Sequence, residues 1–462
     1  MKFIFPGARR LAASTLGVAL MVSLAACGVG GSGGTTTSSQ AKAGNCTLSD
    51  EVSNDKPLTG TPSGEITFQT TALKQSFEPY FTELIKEFEA KYPGTTVKWQ
   101  DDPGDASFTQ RLVTDAQTCQ LPDVVNLNQQ TAYALFRENF LLNFSKKAPD
   151  YGSEFIPSIW NSIKFHGSDD HFMLPWYWGL TGIQIYNKDL LSKAGLDPAK
   201  PPTTVMEQFD QAAQIAKNAN GDFYAFPANP ASRVPSDWQV MDAQIMNADQ
   251  TEFTFAQDQK VVTWLTRLAE LYKAGAMPKD TLSSDADVTK LYSAGTVAWG
   301  SNVLSFLRYV KDTNEKVYKT SGVAPLLDAR GKAFQEGQFI SVASTSKNPV
   351  TAMAFAQFML QTDWQSKFVA DERVAIFPST PDSFKIDKFT KIDTSTPLGQ
   401  ATKLSVELAQ TAENTFLFNW SDAVQQAVVA ELQKAVSGSK SPTDALEAAQ
   451  KAANAVLKRQ NR

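Results

Sequence analysis

Two pairs of neighbouring carboxylates are the residues of this sequence that most clearly could carry out acid–base catalysis. Asp101-Asp102 and Asp169-Asp170 would suit the acid and base of a glycosidase if both members of a pair faced one substrate. Adjacent residues on a strand point to opposite faces, so neither pair alone forms a catalytic dyad. Ser344–Lys347 matches the SxxK pattern of penicillin-recognising enzymes, but the pattern also occurs at 53–56 and 437–440, and the chain has no SDN or KTG segment. The sequence therefore predicts no catalytic residue.

The two histidines of the chain lie close together, as a metal site would need. His166 and His171 flank Gly167-Ser168-Asp169-Asp170, which adds two carboxylates. Gly167 with Asp169 is a pairing that favours a turn, and a turn accounts for the segment without a metal. With only two histidines and three cysteines, a His-rich metal site and a multi-disulfide scaffold are excluded. We expect no metal and no cofactor.

The amino-terminal segment predicts export and a lipid anchor. A basic stretch ending at Arg10 precedes the apolar run Leu11 to Ala26, and these sixteen residues are too few to cross a bilayer of about 30 Å. Residues 1–26 therefore read as a secretory signal peptide. Its end, Leu24-Ala25-Ala26-Cys27, resembles the bacterial lipobox, so lipid is expected on Cys27.

The stretch between Cys27 and the folded body is rich in glycine, serine and threonine. It holds few large apolar residues, so we expect a flexible tether over 27–64. Cys46 and Cys119 are the remaining cysteines, and two thiols that meet outside the cytoplasm usually oxidise. We predict that they form a disulfide that pins the end of the tether to the body; two unpaired thiols are the alternative.

The composition describes a large, slightly acidic globular chain. Its 462 residues suggest two or three domains, and 42% hydrophobic residues supply a sizeable core, which excludes a wholly disordered protein. The formal net charge of −5 argues against nucleic acid as a partner. Nine tryptophans are many for this length, and they raise the question of which flat surfaces the protein presents.

Strand and helix patterns alternate along the body. Glu65–Thr70 alternates like a strand, the apolar residues from Phe77 to Phe88 repeat at helical spacing, and 96–99 and 123–127 are further strands. This β-α-β-α-β order predicts a parallel sheet covered by helices, and thus an α/β fold. Downstream, strands are predicted at 182–186 and 296–299, and helices at 204–218, 348–362, 421–436 and 442–458.

One stretch of the body carries a family resemblance. Tyr186–Leu191 (YNKDLL), followed by Ala194–Pro198 and Pro201–Thr204, resembles the hallmark of extracellular solute-binding proteins of sugar-type ABC importers, the relatives of the maltose-binding protein. Weaker matches occur in family order at 91–97, 121–125, 293–298 and 346–349. The resemblance covers about 65–450. It implies an α/β, two-lobed periplasmic-binding-protein fold of type II, with discontinuous lobes joined by a hinge.

The resemblance also implies the lobe boundaries and the function. Lobe 1 is expected at 65–178 with 336–380, and lobe 2 at 179–335 with 381–462. The protein is expected to be a monomer on the outer face of the bacterial cell membrane, held by its lipid. It would capture a carbohydrate, a di- or oligosaccharide, in the cleft between the lobes. It would then deliver that ligand to the permease subunits of an ABC importer, without enzymatic activity.

The family's cleft places the aromatic candidates. Sugar rings stack their C–H faces on Trp or Tyr. Trp176, Tyr177 and Trp178 lie at the expected first crossing between lobes, where they form either a stacking wall or core packing beneath the hinge. The loop after strand 296–299 contributes Trp299 and Asn302. Further ring candidates are Trp238 and Trp420.

Polar candidates follow the predicted strands at the sheet edge that faces the crevice. The amides of Asn128 and Gln129 suit sugar hydroxyls, or they cap the next helix. Asp101 would accept hydroxyl protons, or lie in a solvated loop. Gly337 would let the backbone approach the ligand.

Two other functions stay open at this point. One is binding of a glycerol phosphodiester or sugar phosphate, with which Pro201-Pro202 is compatible and for which Arg233 is the available cation near the aromatic residues. The other is a secreted glycosidase.

Overall fold

The computed structural model describes residues 41–460 apart from 106, 285–286, 302, 372–375, 410 and 414–416. The predicted signal peptide, the lipid site Cys27 and the candidate Asn302 lie outside the described residues. No helix among the described residues is both long enough and apolar enough to cross a bilayer.

The described chain forms short strands separated by many helices. The strands are β1 (Lys42–Ala43), β2 (Cys46–Thr47), β3 (Gly64–Thr71), β4 (Thr95–Asp102), β5 (Val124–Leu127), β6 (Leu174–Thr181), β7 (Ile183–Asn187), β8 (Ser321–Pro325), β9 (Phe334–Val342) and β10 (Phe377–Pro378). The α-helices are α1 (Asp50–Ser53), α2 (Lys74–Lys91), α3 (Phe108–Gln117), α4 (Gln129–Phe136), α5 (Phe144–Lys147), α6 (Pro157–Ser162), α7 (Lys188–Lys193), α8 (Val205–Asn218), α9 (Ser236–Val240), α10 (Gln259–Ala274), α11 (Val288–Ser293), α12 (Leu304–Thr313), α13 (Glu315–Thr320), α14 (Pro349–Met359), α15 (Thr362–Ala370), α16 (Asp387–Thr390), α17 (Pro397–Ala409), α18 (Asp422–Val436) and α19 (Pro442–Gln460). Short 3₁₀ turns lie at Tyr151–Glu154, Pro230–Ser232, Phe255–Gln257, Lys279–Thr281 and Pro381–Lys385.

The main sheet has six strands in the order β10-β6-β9-β5-β3-β4. Strand β3 pairs in parallel with β4 and β5, as the alternating pattern predicts. The expectation of a parallel sheet is wrong for the other half, because β9 pairs antiparallel with β5 and β6, and β10 antiparallel with β6. The connectivity gives the reason. The chain leaves this sheet along β6, forms the antiparallel β7–β8 ladder, and returns along β9 in the opposite direction.

Local signals account for most helix starts. Thr204 caps α8 by accepting from the backbone N–H of Glu207, whose carboxylate accepts from the N–H of Thr203. In the YNKDLL segment, Asn187 ends β7 and its side chain caps α7. The predicted strand at 296–299 is not a strand: it forms only single bridges, Tyr224 to Val297 and Tyr186 to Trp299.

The apolar side chains form two clusters. The first packs α2 and α14 against the six-stranded sheet, with the ring of Phe355 in contact with those of Phe68 and Phe88. It extends to Ile185 and Leu307, which the predicted boundaries assign to lobe 2. The second cluster lies among α8, α10, α18 and α19. The crossing strands β6 and β9 therefore belong to the first core.

The flexible tether predicted over 27–64 is wrong for its second part. Residues 41–63 are packed on the body: Ala43 and Cys46 are buried, and Cys46 forms the predicted disulfide with Cys119 at a Cα–Cα distance of 5.7 Å. The buried Lys147 Nζ donates to the carbonyls of Glu51, Asn54 and Lys56. Backbone carbonyls of this segment are hydrogen-bonded to the body, so the segment is ordered despite its polar composition.

Candidate functional site

Three adjoining cavities lie where β6 and β9 leave the main sheet. The central cavity has a volume of about 180 Å³, and its lining includes Thr181, Asp237, Phe334, Glu336 and Trp420. The sheet-side cavity, about 360 Å³, shares Glu336 with it; its lining includes Asn128, Gln129, Tyr177, Gly179, Gly337 and Gln338. The distal cavity, about 320 Å³, shares Asp237 with the central one; its lining includes Gln208, Phe226, Arg233 and Trp299. Because they share lining residues, the three cavities lie side by side, and together they are called the cleft below.

Of the three aromatic residues at the first crossing, the structure brings only Tyr177 to the cleft. Successive residues of β6 point to opposite faces of the sheet, and Tyr177 is half-buried on the side of the sheet-side cavity. Its ring packs on Phe368 with centroids 5.4 Å apart, and its hydroxyl has no hydrogen-bond partner in the described part of the chain. Burial raises the pKa of that hydroxyl, so it reaches a ligand as a neutral donor and acceptor.

The stacking role predicted for Trp176, Trp178 and Trp238 is corrected by their burial. Their exposed fractions are 1%, 2% and 0%, which leaves no ring face for a ligand. Trp176 stacks on Phe368 at 5.1 Å, and Trp178 donates from Nε1 to the carbonyl of Pro378 at 2.8 Å. Both tryptophans lie on the buried face of β6, and the alternating residues Tyr177 and Gly179 lie on the partly accessible face. Trp238 packs at the centre of the second cluster.

Trp299 and Trp420 line the cleft, but both are buried. Trp299 lines the distal cavity with 2% of its surface exposed, and its Nε1 is buried without a partner among the described residues. Trp420 lines the central cavity at 8% exposure, and its Nε1 donates to Gln425 Oε1 at 2.5 Å. These rings are fixed walls rather than open platforms.

The polar candidates divide between the cleft and the framework. Asn128 both lines the sheet-side cavity and caps α4, because its Oδ1 accepts from the N–H of Thr131 at 2.9 Å. Gln129 lines the same cavity from a buried position. Gly337 lines it as well, and a Cβ there would lie 2.8 Å from the ring of Phe339, which explains the glycine by packing.

Asp101 has a structural role that the sequence did not indicate. Its carboxylate accepts from Thr70 Oγ1 at 2.6 Å and from the backbone N–H groups of Leu73 and Lys74 at the start of α2. It lies outside the lining of the three cavities in the described chain. A carboxylate held by three donors at a helix N-terminus is a cap, so Asp101 is corrected from ligand to framework.

Sequence reasoning missed two acidic residues of the cleft, Asp237 and Glu336. Asp237 accepts from Arg233 Nε and from Trp264 Nε1, at 2.7 and 2.8 Å. The i, i+4 spacing of Arg233 and Asp237 is a readable signal for this pair. Glu336 stands next to Gly337 on β9, opposite Gly179, and no sequence pattern marks it.

Glu336 is the carboxylate that faces the cleft most directly. It lines both the central and the sheet-side cavity, and its side chain is accessible to solvent within them. Surrounding protein atoms desolvate the group, which raises its pKa above the ordinary value. It forms no hydrogen bond or ion pair with the described residues, so its oxygens are available to a ligand.

The candidate metal segment is a packed corner of the framework. His171 stacks on Trp160 with centroids 3.7 Å apart, and its two ring nitrogens lie near Ser145 Oγ and the carbonyl of Trp160. Burial lowers the pKa of His171. Asp170 accepts from Asn143 Nδ2 at 2.7 Å. Across the described residues, no group of three or more His, Cys, Asp or Glu side chains is arranged to hold a metal.

A central mixed sheet, crossing strands and a cleft beside them define a two-lobed binding protein of the type II periplasmic class. The sequence model of the family described as bacterial extracellular solute-binding protein matches residues 74–366. The chain belongs to this family, as the YNKDLL segment and its companions predict. The family consists of extracellular binding proteins.

Similar proteins agree with this fold. Proteins of Brucella abortus and Brucella suis, described as binding proteins with no ligand named, are 24% identical over 353 residues, or 71% of this chain and 79% of theirs. The sugar-binding protein MalE of Xanthomonas citri superposes with a TM-score of 0.69 at 19% identity, covering 86% of this chain and 98% of that one. The cyclic alpha-maltosyl-1,6-maltose binding protein of Arthrobacter globiformis gives 0.68 at 19%, covering 86% and 100%. The GacH receptor of Streptomyces glaucescens, solved with acarbose, gives 0.66 at 20%, covering 86% and 99%.

Proposed function

We propose that this protein is the carbohydrate receptor of an ABC importer, and that a di- or oligosaccharide binds in the cleft formed by the three cavities. The observation that carries the proposal is the composition of the cleft wall. Tyr177 supplies a half-buried aromatic ring, the buried rings of Trp299 and Trp420 support the wall, and Asn128 and Glu336 supply hydrogen-bonding groups that the fold leaves accessible. Apolar walls with a few placed polar groups suit the alternating C–H and hydroxyl surface of a sugar.

The size of the ligand follows from the arrangement of the cavities. The sheet-side, central and distal cavities are joined in series through Glu336 and Asp237, so a bound ligand can extend across several sugar rings. The structural relatives include receptors described with maltose-type and acarbose ligands. A relative from Thermotoga lettingae is described as bound with the monosaccharide tagatose, so the preference for an oligosaccharide rests on the arrangement of the cavities.

Anchoring and delivery complete the proposal. Lipid on Cys27 would hold the receptor at the outer face of the cell membrane, and permease subunits would take the ligand from the cleft. Because Ala43 and Cys46 are buried and Cys46 is bonded to Cys119, the tether predicted over 27–64 does not include the whole of that range. A Cys27→Ala variant tests the anchor: it should leave the membrane fraction while the wild type remains there.

Binding is tested by thermal-shift screening of mono-, di- and oligosaccharides, followed by calorimetry on the ligands that stabilise the protein. Saturation at 100 times Kd should add about 2.7 kcal/mol to the free energy of unfolding. Gly179→Val is the blocking variant, because a Cβ at Gly179 meets no atom within 4 Å and projects beside the sheet-side cavity. It should lose binding while its melting temperature stays unchanged.

The same experiment distinguishes a receptor from an enzyme. Ligand recovered after long incubation should be chemically intact. Recovery of a hydrolysed glycan would contradict the receptor and favour a glycosidase. Stabilisation by glycerol phosphodiesters alone would contradict the carbohydrate.

A further inference from the structure

The charged side chains of the cleft are few. Among the described residues, those that line the three cavities and carry a formal charge at neutral pH are Arg233, Asp237 and Glu336. The charge that a ligand meets therefore depends on which of these three groups is already compensated inside the protein.

Arg233 is paired with a carboxylate inside the protein. Its Nε donates to Asp237 Oδ2 and its Nη2 to Gln208 Oε1, both at 2.7 Å, with only 10% and 12% of the Arg233 and Asp237 side chains exposed. The guanidinium also lies 4.2 Å from the ring centre of Phe226 and 5.0 Å from that of Phe209. Drawing Arg233 onto a phosphate would leave Asp237 buried without its cation, which is strongly unfavourable. The pair therefore offers no net charge to a ligand.

Glu336 is the charged group of the cleft that has no counter-ion among the described residues. In the register of the crossing strands it stands opposite Gly179 and beside Gly337, so no neighbouring side chain covers it from these positions. No cationic side chain lies within salt-bridge distance of it in the described part of the chain. The two glycines leave space around the carboxylate, and Glu336 is the one charged side chain without a counter-ion among the described residues that line the three cavities.

We propose that Glu336 is the charge-selecting residue of the cleft, which admits neutral glycans and amino sugars and excludes glycans that carry phosphate or carboxylate. This inference rests on the proposed function and names its substrate class. Neutral hydroxyls donate charge-assisted hydrogen bonds to a carboxylate, and an ammonium group adds an ion pair. An anionic group would face a like charge at short range in a partly desolvated site.

The experiment compares maltotriose, the glucosamine trimer and trigalacturonic acid by calorimetry at pH 7, with glycerophosphocholine as a phosphodiester probe. We expect the anionic probes to bind about 10- to 100-fold more weakly than the neutral trimer, and the glucosamine trimer at least as tightly as the neutral one. Glu336→Gln should reduce the cationic preference about tenfold. Glu87→Gln, which removes one exposed carboxylate on α2, is the matched control and should change nothing.

A carbon-13 NMR titration of Glu336 in the ligand-free protein tests the charge assignment without any sugar. We expect a pKa above the ordinary value, because surrounding protein atoms desolvate the carboxylate and no cationic partner in the described chain offsets this effect. A lower value would show a hidden cation and overturn the proposal, as would an anionic probe that binds the wild type as tightly as maltotriose. If no probe of any charge binds, the proposed function fails for these glycans, and the titration still decides the charge of the cleft.

Discussion

Tyr177 and Trp178 are neighbours on β6, and we expect Tyr177 to act in ligand binding and Trp178 in stability. Substituting each of them separately tests this assignment. Tyr177→Phe keeps the ring that packs on Phe368 and removes only the hydroxyl, which has no partner in the described chain. Trp178→Phe keeps an aromatic ring in the core and removes the Nε1 donor to Pro378. The first change should affect ligand binding, and the second should affect stability.

The magnitudes follow from the contacts. A hydroxyl that hydrogen-bonds to the ligand contributes about 0.5–1.5 kcal/mol, so Tyr177→Phe should raise Kd roughly 2- to 12-fold. Trp178→Phe removes buried ring volume, which lowers the free energy of unfolding by about 1–2 kcal/mol. It also leaves the buried carbonyl of Pro378 without its donor, which costs about 1–2 kcal/mol more. For about 420 ordered residues the unfolding entropy is about 0.9 kcal/mol/K, so this loss lowers Tm by about 2–5 °C.

Calorimetric titration with the stabilising glycan and thermal melts of both variants give the two readouts. Tyr177→Phe should melt within about 1 °C of the wild type, because the fold loses no hydrogen bond. Trp178→Phe should bind with the wild-type Kd at temperatures where it is folded. The reasoning is refuted if Tyr177→Phe binds normally, or if Trp178→Phe loses affinity while its Tm is unchanged.

Three further predictions concern stability. Replacing Cys46 and Cys119 by serine should lower the free energy of unfolding in urea by about 4 kcal/mol, since the disulfide closes a loop with a separation of 73 residues; a loss under 1 kcal/mol would contradict this. Asp237→Asn should cost about 3–5 kcal/mol in the same assay, because Arg233 is then buried without its carboxylate, and a wild-type midpoint would reject that account. The pKa of Glu336 is raised on folding, so its contribution is present below the ordinary pKa and lost as pH rises through the folded value. Glu336→Gln should therefore be more stable than the wild type at pH 7 but not near pH 4, and equal melts at both pH values would disagree.

Much of the framework could be predicted because local chemistry determines it. The caps at Thr204 and Asn187, the helical spacing from Phe77 to Phe88 and the parallel core of the sheet are all set by residues near one another in sequence. The antiparallel half of the sheet could not be predicted, because it follows from the return of the chain along β9 after a long excursion. The packing of residues 41–63 depends in the same way on distant partners, Cys119 and Lys147.

The candidate site was predicted less well, and the tryptophans show why. Aromatic content indicates flat apolar surface but not whether that surface is covered. Trp176 and Trp178 share the buried face of β6, while the alternating residues Tyr177 and Gly179 are partly accessible, and the sequence alone does not say which face is covered. Tyr177 differs from them because it borders the gap that Gly179 and Gly337 create.

Two features set the charge of the cleft, and only one of them can be recognised in the sequence. The i, i+4 pairing of Arg233 with Asp237 is visible in the sequence, and it removes the one cationic side chain that lines the described cleft from contact with a phosphate ligand. The isolation of Glu336 depends on the register that sets it against Gly179, over 150 residues away in the chain. Both features are needed, because without Asp237 the charge of Arg233 would offset that of Glu336. Ligand charge selection in this receptor is therefore a property of strand register as much as of residue type.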